Sequence, residues 1–155
     1  MILLHGFGAP GDDLVSLARV IDGKPGTRFV FPEAPLDLGG GGRAWWNIDM
    51  MRLQMSMMSG KPRDTSEVPE GLDTARAAVT TLVRDVGKEL GAPAEGAGIV
   101  LGGFSQGAML ALDVALRSDL ALSGLVLLSG TIVAENEWLP LLPKRKTTPV
   151  LQSHG

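Results

Sequence analysis

The sequence predicts an α/β fold, a three-layer sandwich in which helices cover both faces of a mostly parallel β-sheet. Short runs of continuously apolar residues alternate along the chain with segments whose apolar residues recur at helical spacing. Strands without polar alternation are buried on both faces, which is typical of parallel sheets covered by helices. Glycine-rich motifs follow two of these strands, and ligands bind at the carboxyl ends of strands in such sheets.

The first half of the chain contains two predicted strands, a helix and a long loop. An apolar strand at 2–4 precedes a helix over 14–21, whose apolar residues share one face. A second strand, at 28–31, is stopped by a proline. The polar, glycine-rich and methionine-rich stretch over about 36–69 lacks a sustained period and is interpreted as a lid-like loop.

The second half has the clearer pattern. Apolar residues keep i, i+3/i+4 spacing over 72–90, which predicts an amphipathic helix. The remaining predicted elements are a strand at 99–101, a helix at 108–116, a strand at 125–128 and a strand that begins at 149. All of these elements are assigned to a single domain, residues 1–155.

Composition excludes several classes of protein. Hydrophobic residues make up 45% of the 155 residues and charged residues 20%, which is ordinary for a soluble globular domain. The net charge is −3, and the single basic triplet at 144–146 is interpreted as an exposed loop, so no nucleic acid partner is expected. Cysteine is absent, which excludes disulfides and thiolate metal sites. Without a signal peptide or an apolar run of about 20 residues, we expect a cytoplasmic protein with no stable membrane insertion.

The motif Gly103-Phe104-Ser105-Gln106-Gly107 marks Ser105 as the candidate nucleophile. A G-x-S-x-G pattern alone is weak evidence, but here an apolar strand runs into it and an apolar-periodic helix leaves it. A sharp turn between strand and helix lifts the serine hydroxyl above the sheet, and the flanking glycines let the two elements approach closely. The competing interpretation is a glycine-rich turn that contains an incidental serine.

The loop after the first strand supplies a candidate oxyanion hole. Where a serine follows a strand in this way, the backbone N–H after the nucleophile, here that of Gln106, works with a second N–H from an earlier loop. Phe7, in the sequence His5-Gly6-Phe7-Gly8, is placed to provide it. His5 precedes the nucleophile, whereas the base comes last in this arrangement, so His5 is interpreted as a residue that braces the loop.

The same loop also fits a dinucleotide-binding fingerprint. Gly6, Gly8 and Gly11 have the required spacing, and Glu33 follows about twenty residues later. Pro10 lacks an N–H in the turn that would bind a pyrophosphate, and two carboxylates at 12–13 would repel it. A nicotinamide-dinucleotide-binding protein therefore remains the less favoured alternative.

Taken together, these motifs resemble the bacterial carboxylesterases and lysophospholipases related to acyl-protein thioesterases. The resemblance covers nearly the whole chain, and the matching segments occur in the order of that family. They are Leu4–Gly8, Phe31–Pro35, Gly42–Trp46, Gly103–Gly107, Leu128–Gly130 and Pro149–Gly155.

The resemblance implies an α/β-hydrolase fold with Ser105 as nucleophile and the amides of Phe7 and Gln106 as oxyanion donors. It also implies a small acyl ester, thioester or lysophospholipid as substrate, no cofactor, and often a homodimer. In family members the catalytic Asp follows shortly after the pair that His154 and Gly155 match, and the catalytic His comes later still. We therefore expect the catalytic Asp, the catalytic His and the last strand–helix units to lie beyond Gly155, and this chain to be inactive alone.

The loop over 36–69 contains the candidate substrate-binding residues. Five of the seven methionines lie between Met50 and Met58, and methionine adapts to acyl chains of varied shape. Met50 and Met51, with Trp45 and Trp46 just upstream, are predicted to line the pocket. A short helix that packs against the core is the alternative for the methionines. The four glycines at 39–42 lack the Lys-Ser/Thr of a phosphate loop and are interpreted as a flexible hinge.

The sequence therefore predicts a serine hydrolase that cleaves carboxylic esters or thioesters through an acyl-serine intermediate. No metal cluster and no convincing phosphate loop are present, so neither metal nor cofactor is expected. Two alternatives stay open, the dinucleotide-binding protein and an inactive binding module that keeps the hydrolase fold.

Overall fold

A four-stranded parallel sheet forms the centre of the computed structural model, which describes residues 1–58 and 64–154. Its strands lie in the order β1 (Ile2–Leu4), β4 (Val100–Phe104), β5 (Gly124–Leu128) and β6 (Val150–Ser153). The four corresponding sequence predictions are confirmed. Leu4 pairs with Gly103 and Phe104 pairs with Leu128, so the strands end together at one edge of the sheet.

The strand predicted at 28–31 is reduced to a single bridge between Val30 and Ile2. The Leu3 N–H donates to the Val30 carbonyl at 3.0 Å, and the Val30 N–H donates to the Met1 carbonyl at 2.9 Å. Two residues later Pro32 has no N–H to continue the ladder, which limits this edge of the sheet to one residue.

Two long helices cover one face of the sheet. The predicted helix over 72–90 is confirmed as α2 (Leu72–Glu89), and the one over 108–116 as α3 (Gln106–Arg117). α3 packs against β1, β4 and β5, and α2 packs against α3. A short helix, α4 (Glu135–Trp138), and a 3-10 segment (Leu139–Arg145) complete this layer. The apolar stripe of α2 faces the core, as its 3.6-residue period requires.

The first predicted helix is much shorter in the structure than the sequence predicts. The helix predicted over 14–21 is a five-residue 3-10 segment, Val15–Arg19, in which no residue is fully buried. Its hydrogen bonds span three residues, as from the Leu17 N–H to the Leu14 carbonyl at 3.0 Å, and such geometry rarely extends beyond one turn. The predicted apolar face is present and half-buried, but the predicted α-helix is wrong.

The predicted loop over 36–69 contains regular structure. A hairpin joins β2 (Leu36–Gly39) to β3 (Gly42–Ala44), and α1 (Met50–Met58) follows it. Gly39, Gly40 and Gly41 all have positive φ, so the glycine run is the turn of this hairpin rather than a hinge. The part of the predicted loop at 59–63 lies outside the described residues.

A buried carboxylate joins the three helices. Asp113 on α3 has no exposed surface. It accepts hydrogen bonds from the Trp138 Nε1–H at 2.8 Å and from the Arg76 Nη1–H at 3.1 Å. These charge-assisted bonds tie α4 and α2 to α3. Within the described ranges, no helix is long and apolar enough to cross a membrane.

Candidate active site

Ser105 occupies the single residue between the end of β4 and the start of α3. Its backbone has φ 51° and ψ −112°, a conformation that L-residues adopt only under strain. The surrounding structure enforces it, because the Ser105 N–H donates to the Leu128 carbonyl at 2.8 Å and the Ser105 carbonyl accepts the Ala108 N–H at 3.1 Å. The half-buried serine therefore stands at the carboxyl edge of the sheet, as the motif predicts.

The glycines that flank Ser105 at two residues' distance lie where no side chain fits. A Cβ on Gly107 would overlap the Leu4 carbonyl and lie 2.8 Å from the His5 carbonyl oxygen. A Cβ on Gly103 would lie 2.6 Å from the carbonyl carbon of Gly107. The G-x-S-x-G spacing is thus a packing requirement, since strand and helix meet through bare backbone.

The loop after β1 lies beside the nucleophile because β1 and β4 are neighbouring strands. A Cβ built on Gly6 would lie 3.5 Å from the Ser105 Cβ, so the loop passes close beside the serine with little room for a side chain between them. Among the described residues, the amides of Phe7 and Gln106 donate no hydrogen bond that would occupy them. Neither amide is therefore occupied by another group among these residues, and their role as oxyanion donors stays a prediction.

His5 is buried, and both of its ring nitrogens are engaged. The Ala34 N–H donates to Nε2 at 3.0 Å, so Nε2 carries no proton. Nδ1 lies 2.9 Å from the Gly6 carbonyl oxygen and, as the protonated nitrogen, donates to it. The ring is thus committed to holding the loop, in agreement with its predicted bracing role, and is not free to act as a base.

Trp45 and Trp46 belong to the hydrophobic core. Their exposed fractions are 5% and 3%, and the Trp45 Nε1–H donates to the His5 carbonyl at 3.0 Å. The prediction that these side chains line an open pocket is therefore not supported, because packing has already covered both indoles. Sequence patterning missed this because the partner is forty residues away in the chain.

The other two predicted substrate-binding residues, Met50 and Met51, begin α1 and are 53% and 74% exposed. Their role in binding stays a prediction. A groove of about 360 Å³ lies beside the first turn of α3, the helix that begins directly after Ser105. Ala108 and Met109 of that turn, Leu127 of β5 and Ile132 beyond it form apolar parts of its wall. No local sequence pattern predicts this groove, because its walls come from separate elements.

A larger cavity of about 970 Å³ lies at the opposite end of α3, roughly 18 Å from the serine along a 12-residue helix. It contains several arginines, but these are engaged by neighbouring groups. Arg84 pairs with Glu95 at 2.5 Å, and Arg145 donates to three carbonyls around the end of α3. The cavity is therefore remote from Ser105, and the named arginines already have partners, so we do not assign it to the same site.

The geometry of the loop after β1 is poorly suited to a dinucleotide. The segment that follows it is a five-residue 3-10 turn, which provides no α-helix N-terminus for a pyrophosphate. The Gly8 N–H is already donated to the Arg43 carbonyl at 2.9 Å. Within the described ranges, no group of three or more His, Asp or Glu side chains could hold a metal ion.

His154 is the second of the two histidines in the sequence and follows the exposed strand β6. β5 separates β6 from β4, the strand that leads to Ser105. Two strand spacings amount to about 10 Å, so the backbone that carries His154 is well outside hydrogen-bonding distance of the strand before the serine. His5 is thus engaged within its own loop, and the strand that precedes His154 is not a neighbour of the strand that leads to Ser105.

A strained serine between a parallel strand and a helix, with the loop after a neighbouring strand beside it, is the arrangement of the nucleophile elbow in α/β-hydrolases. The family comparison agrees, because the model of the phospholipase/carboxylesterase family matches residues 1–155. The chain belongs to this family, and the predicted α/β-hydrolase fold with its mostly parallel sheet is confirmed.

Individual relatives and structures give the same result. The chain is 32% identical to acyl-protein thioesterase 1 of Kluyveromyces lactis and 30% identical to acyl-protein thioesterase 1 homolog 1 of Dictyostelium discoideum. All of this chain is matched to 67% of the first relative and 66% of the second. The crystal structure of esterase PE8 aligns with a TM-score of 0.72 at 32% identity, over 99% of this chain and 66% of that one. The chain thus spans about two thirds of the length of these relatives.

Proposed function

We propose that the complete protein containing these residues is a serine hydrolase that cleaves carboxylic esters or thioesters. The observation that carries the proposal is the position of Ser105, held in a strained turn beside the unoccupied amides of Phe7 and Gln106. The thioesterase and esterase relatives support the same reaction class.

In the proposed reaction the Ser105 oxygen attacks the carbonyl carbon of the substrate while a general base takes the hydroxyl proton. The carbonyl oxygen becomes an oxyanion, which accepts hydrogen bonds from the two amides. The leaving alcohol or thiol departs with the proton, and an acyl-serine remains. Water, activated by the same base, then attacks the acyl-serine and releases the carboxylic acid and free Ser105.

We infer that the general base and its orienting carboxylate come from outside residues 1–155. His5 uses both ring nitrogens within the loop, and His154 follows a strand that is two positions away from β4. The chain has no other histidine. A serine hydroxyl without a neighbouring base is a weak nucleophile, so residues 1–155 provide the nucleophile and the oxyanion hole without the means to activate the serine.

The groove beside α3 is proposed to bind the acyl part of the substrate. It starts at the turn that follows Ser105, and its walls are mainly apolar. Its volume of about 360 Å³ is within the range of small-molecule sites. The exposed methionines of α1, including Met50 and Met51, offer a second apolar surface, and we retain their predicted role in substrate binding as part of this proposal.

Fluorophosphonate labelling tests the proposed function directly. We expect the complete protein to be labelled once per chain and the adduct to map to the peptide that contains Ser105, because only an activated serine reacts rapidly. Prior heat denaturation should abolish labelling. Absence of labelling in protein that is folded by circular dichroism would contradict the proposal.

The acyl groove predicts a change in chain-length preference. Ile132→Ser places a hydroxyl in the wall, so it should lower kcat/KM for p-nitrophenyl octanoate by about fivefold to tenfold relative to the acetate. Leu142→Ser is a matched control, because Leu142 is 46% exposed and Ile132 45%, but Leu142 lies in the 3-10 segment away from the groove. Met51→Ser applies the same test to α1. An octanoate-to-acetate ratio that Ile132→Ser leaves unchanged would exclude the groove as the acyl site.

A further inference from the structure

Gln106 has a buried side chain that its role as an amide donor does not explain. The residue has no exposed surface, and its side-chain amide makes two hydrogen bonds across the fold. The Oε1 atom accepts the Trp45 backbone N–H at 3.0 Å, and the Nε2–H donates to the Trp46 carbonyl at 2.8 Å. Through these two bonds Gln106 holds the backbone of Trp45 and Trp46, about sixty residues earlier in the chain, in the way that a neighbouring strand would.

The segment held by Gln106 is itself bonded to the oxyanion loop on both sides of Phe7. On one side, the Trp45 Nε1–H donates to the His5 carbonyl at 3.0 Å. On the other side, the Gly8 N–H donates to the Arg43 carbonyl at 2.9 Å, and the Arg43 N–H donates to the Ala9 carbonyl at 3.0 Å. We call this set of bonds, from the Gln106 side chain through residues 43–46 to residues 5–9, the clamp.

We propose that the Gln106 side chain is a positioning residue that sets the distance between the two oxyanion donors. The inference rests on the proposed function. Its backbone N–H is one donor, and its side chain fixes, through the clamp, the loop that carries the Phe7 N–H. One residue thereby couples both halves of the oxyanion hole. Such donors stabilise a transition state only when they are held in place beforehand, which a buried and fully bonded amide accomplishes.

Two substitutions in the complete protein open the clamp at different points. Gln106→Met keeps the length of the side chain and removes both of its bonds, whereas Trp45→Phe removes only the indole bond to His5. Because the hole acts mainly in the transition state, each should lower kcat by about tenfold or more and change KM by less than about twofold.

A thionoester provides a readout that loss of folded protein cannot change. Donors positioned for an oxyanion discriminate against the larger and more weakly accepting sulfur of a C=S group. The ratio of kcat/KM for an ester to kcat/KM for its thionoester should therefore fall by about tenfold in both variants. The ratio is independent of enzyme concentration, so partial unfolding leaves it unchanged.

Trp138→Phe is the matched control. It makes the same change in volume and removes a buried indole bond of 2.8 Å to Asp113, remote from the oxyanion loop. It should lower the melting temperature and preserve the ester-to-thionoester ratio. A wild-type ratio in both clamp variants would overturn the proposal, while the labelling of Ser105 would still support the function. Failure of the unmodified protein to be labelled would instead remove the function on which the proposal rests.

Discussion

Replacing Ser105 with alanine is expected to lower kcat of the complete protein on p-nitrophenyl acetate by about 10⁴-fold to 10⁶-fold. In the proposed reaction the serine oxygen forms the acyl intermediate, so its removal leaves only substrate binding and the oxyanion hole to promote direct attack by water. The melting temperature should stay within a few degrees or rise, since Ser105 is strained at φ 51° and its side chain makes no hydrogen bond within the described residues. Initial rates at saturating substrate measure the effect.

Ser129 offers a closely matched control for this substitution. It follows β5 as Ser105 follows β4, it is also half-buried, and its φ is 50°. Its N–H donates to the Ser153 carbonyl at 2.8 Å, so its backbone is held in the same manner. Ser129→Ala should retain activity within about tenfold of the unmodified protein. Activity of Ser105→Ala within that same range would show that another residue is the nucleophile.

Residues 1–155 expressed alone should react with a fluorophosphonate at least about 10³-fold more slowly than the complete protein. Under the proposed function this span carries the nucleophile and both oxyanion donors, whereas the general base comes from outside it. Side-by-side labelling at equal protein concentration measures the difference, and circular dichroism establishes that the shorter chain is folded.

His154→Gln in the complete protein provides the complementary test. If His154 is not the general base, the labelling rate of this variant should stay within about tenfold of the rate of the unmodified protein. Equal labelling of residues 1–155 and of the complete protein would show that the base lies within this span. A loss of several orders of magnitude in His154→Gln would then identify it.

The features that the sequence predicted well are local ones. Continuous apolar strands, the period of α2 and the G-x-S-x-G turn each depend on residues within a few positions of one another, so their patterns survive in the sequence. The single bridge at Val30 and the 3-10 segment Val15–Arg19 depend on how much sheet and helix lie beside them, which local patterns do not contain.

The parts of the site that escaped prediction depend on long-range contacts. Trp45 and Trp46 looked like pocket residues because tryptophans in a long loop often face ligands. Their burial follows from bonds to His5 and Gln106, which lie 40 and about 60 residues away. In the sequence, Gln106 cannot be distinguished from any other polar residue at the start of a helix. The structure shows that both its Oε1 and its Nε2 atoms form buried hydrogen bonds.

The contact between bare backbones at the nucleophile also determines which positions can be engineered. Gly103 and Gly107 admit no side chain, so libraries that aim to change substrate range lose every variant with a substitution at either residue. Phe104, between Gly103 and Ser105, is 42% exposed, and Ile132 at the groove is 45% exposed. Such a library should therefore vary Phe104 and Ile132 and keep Gly103 and Gly107 unchanged.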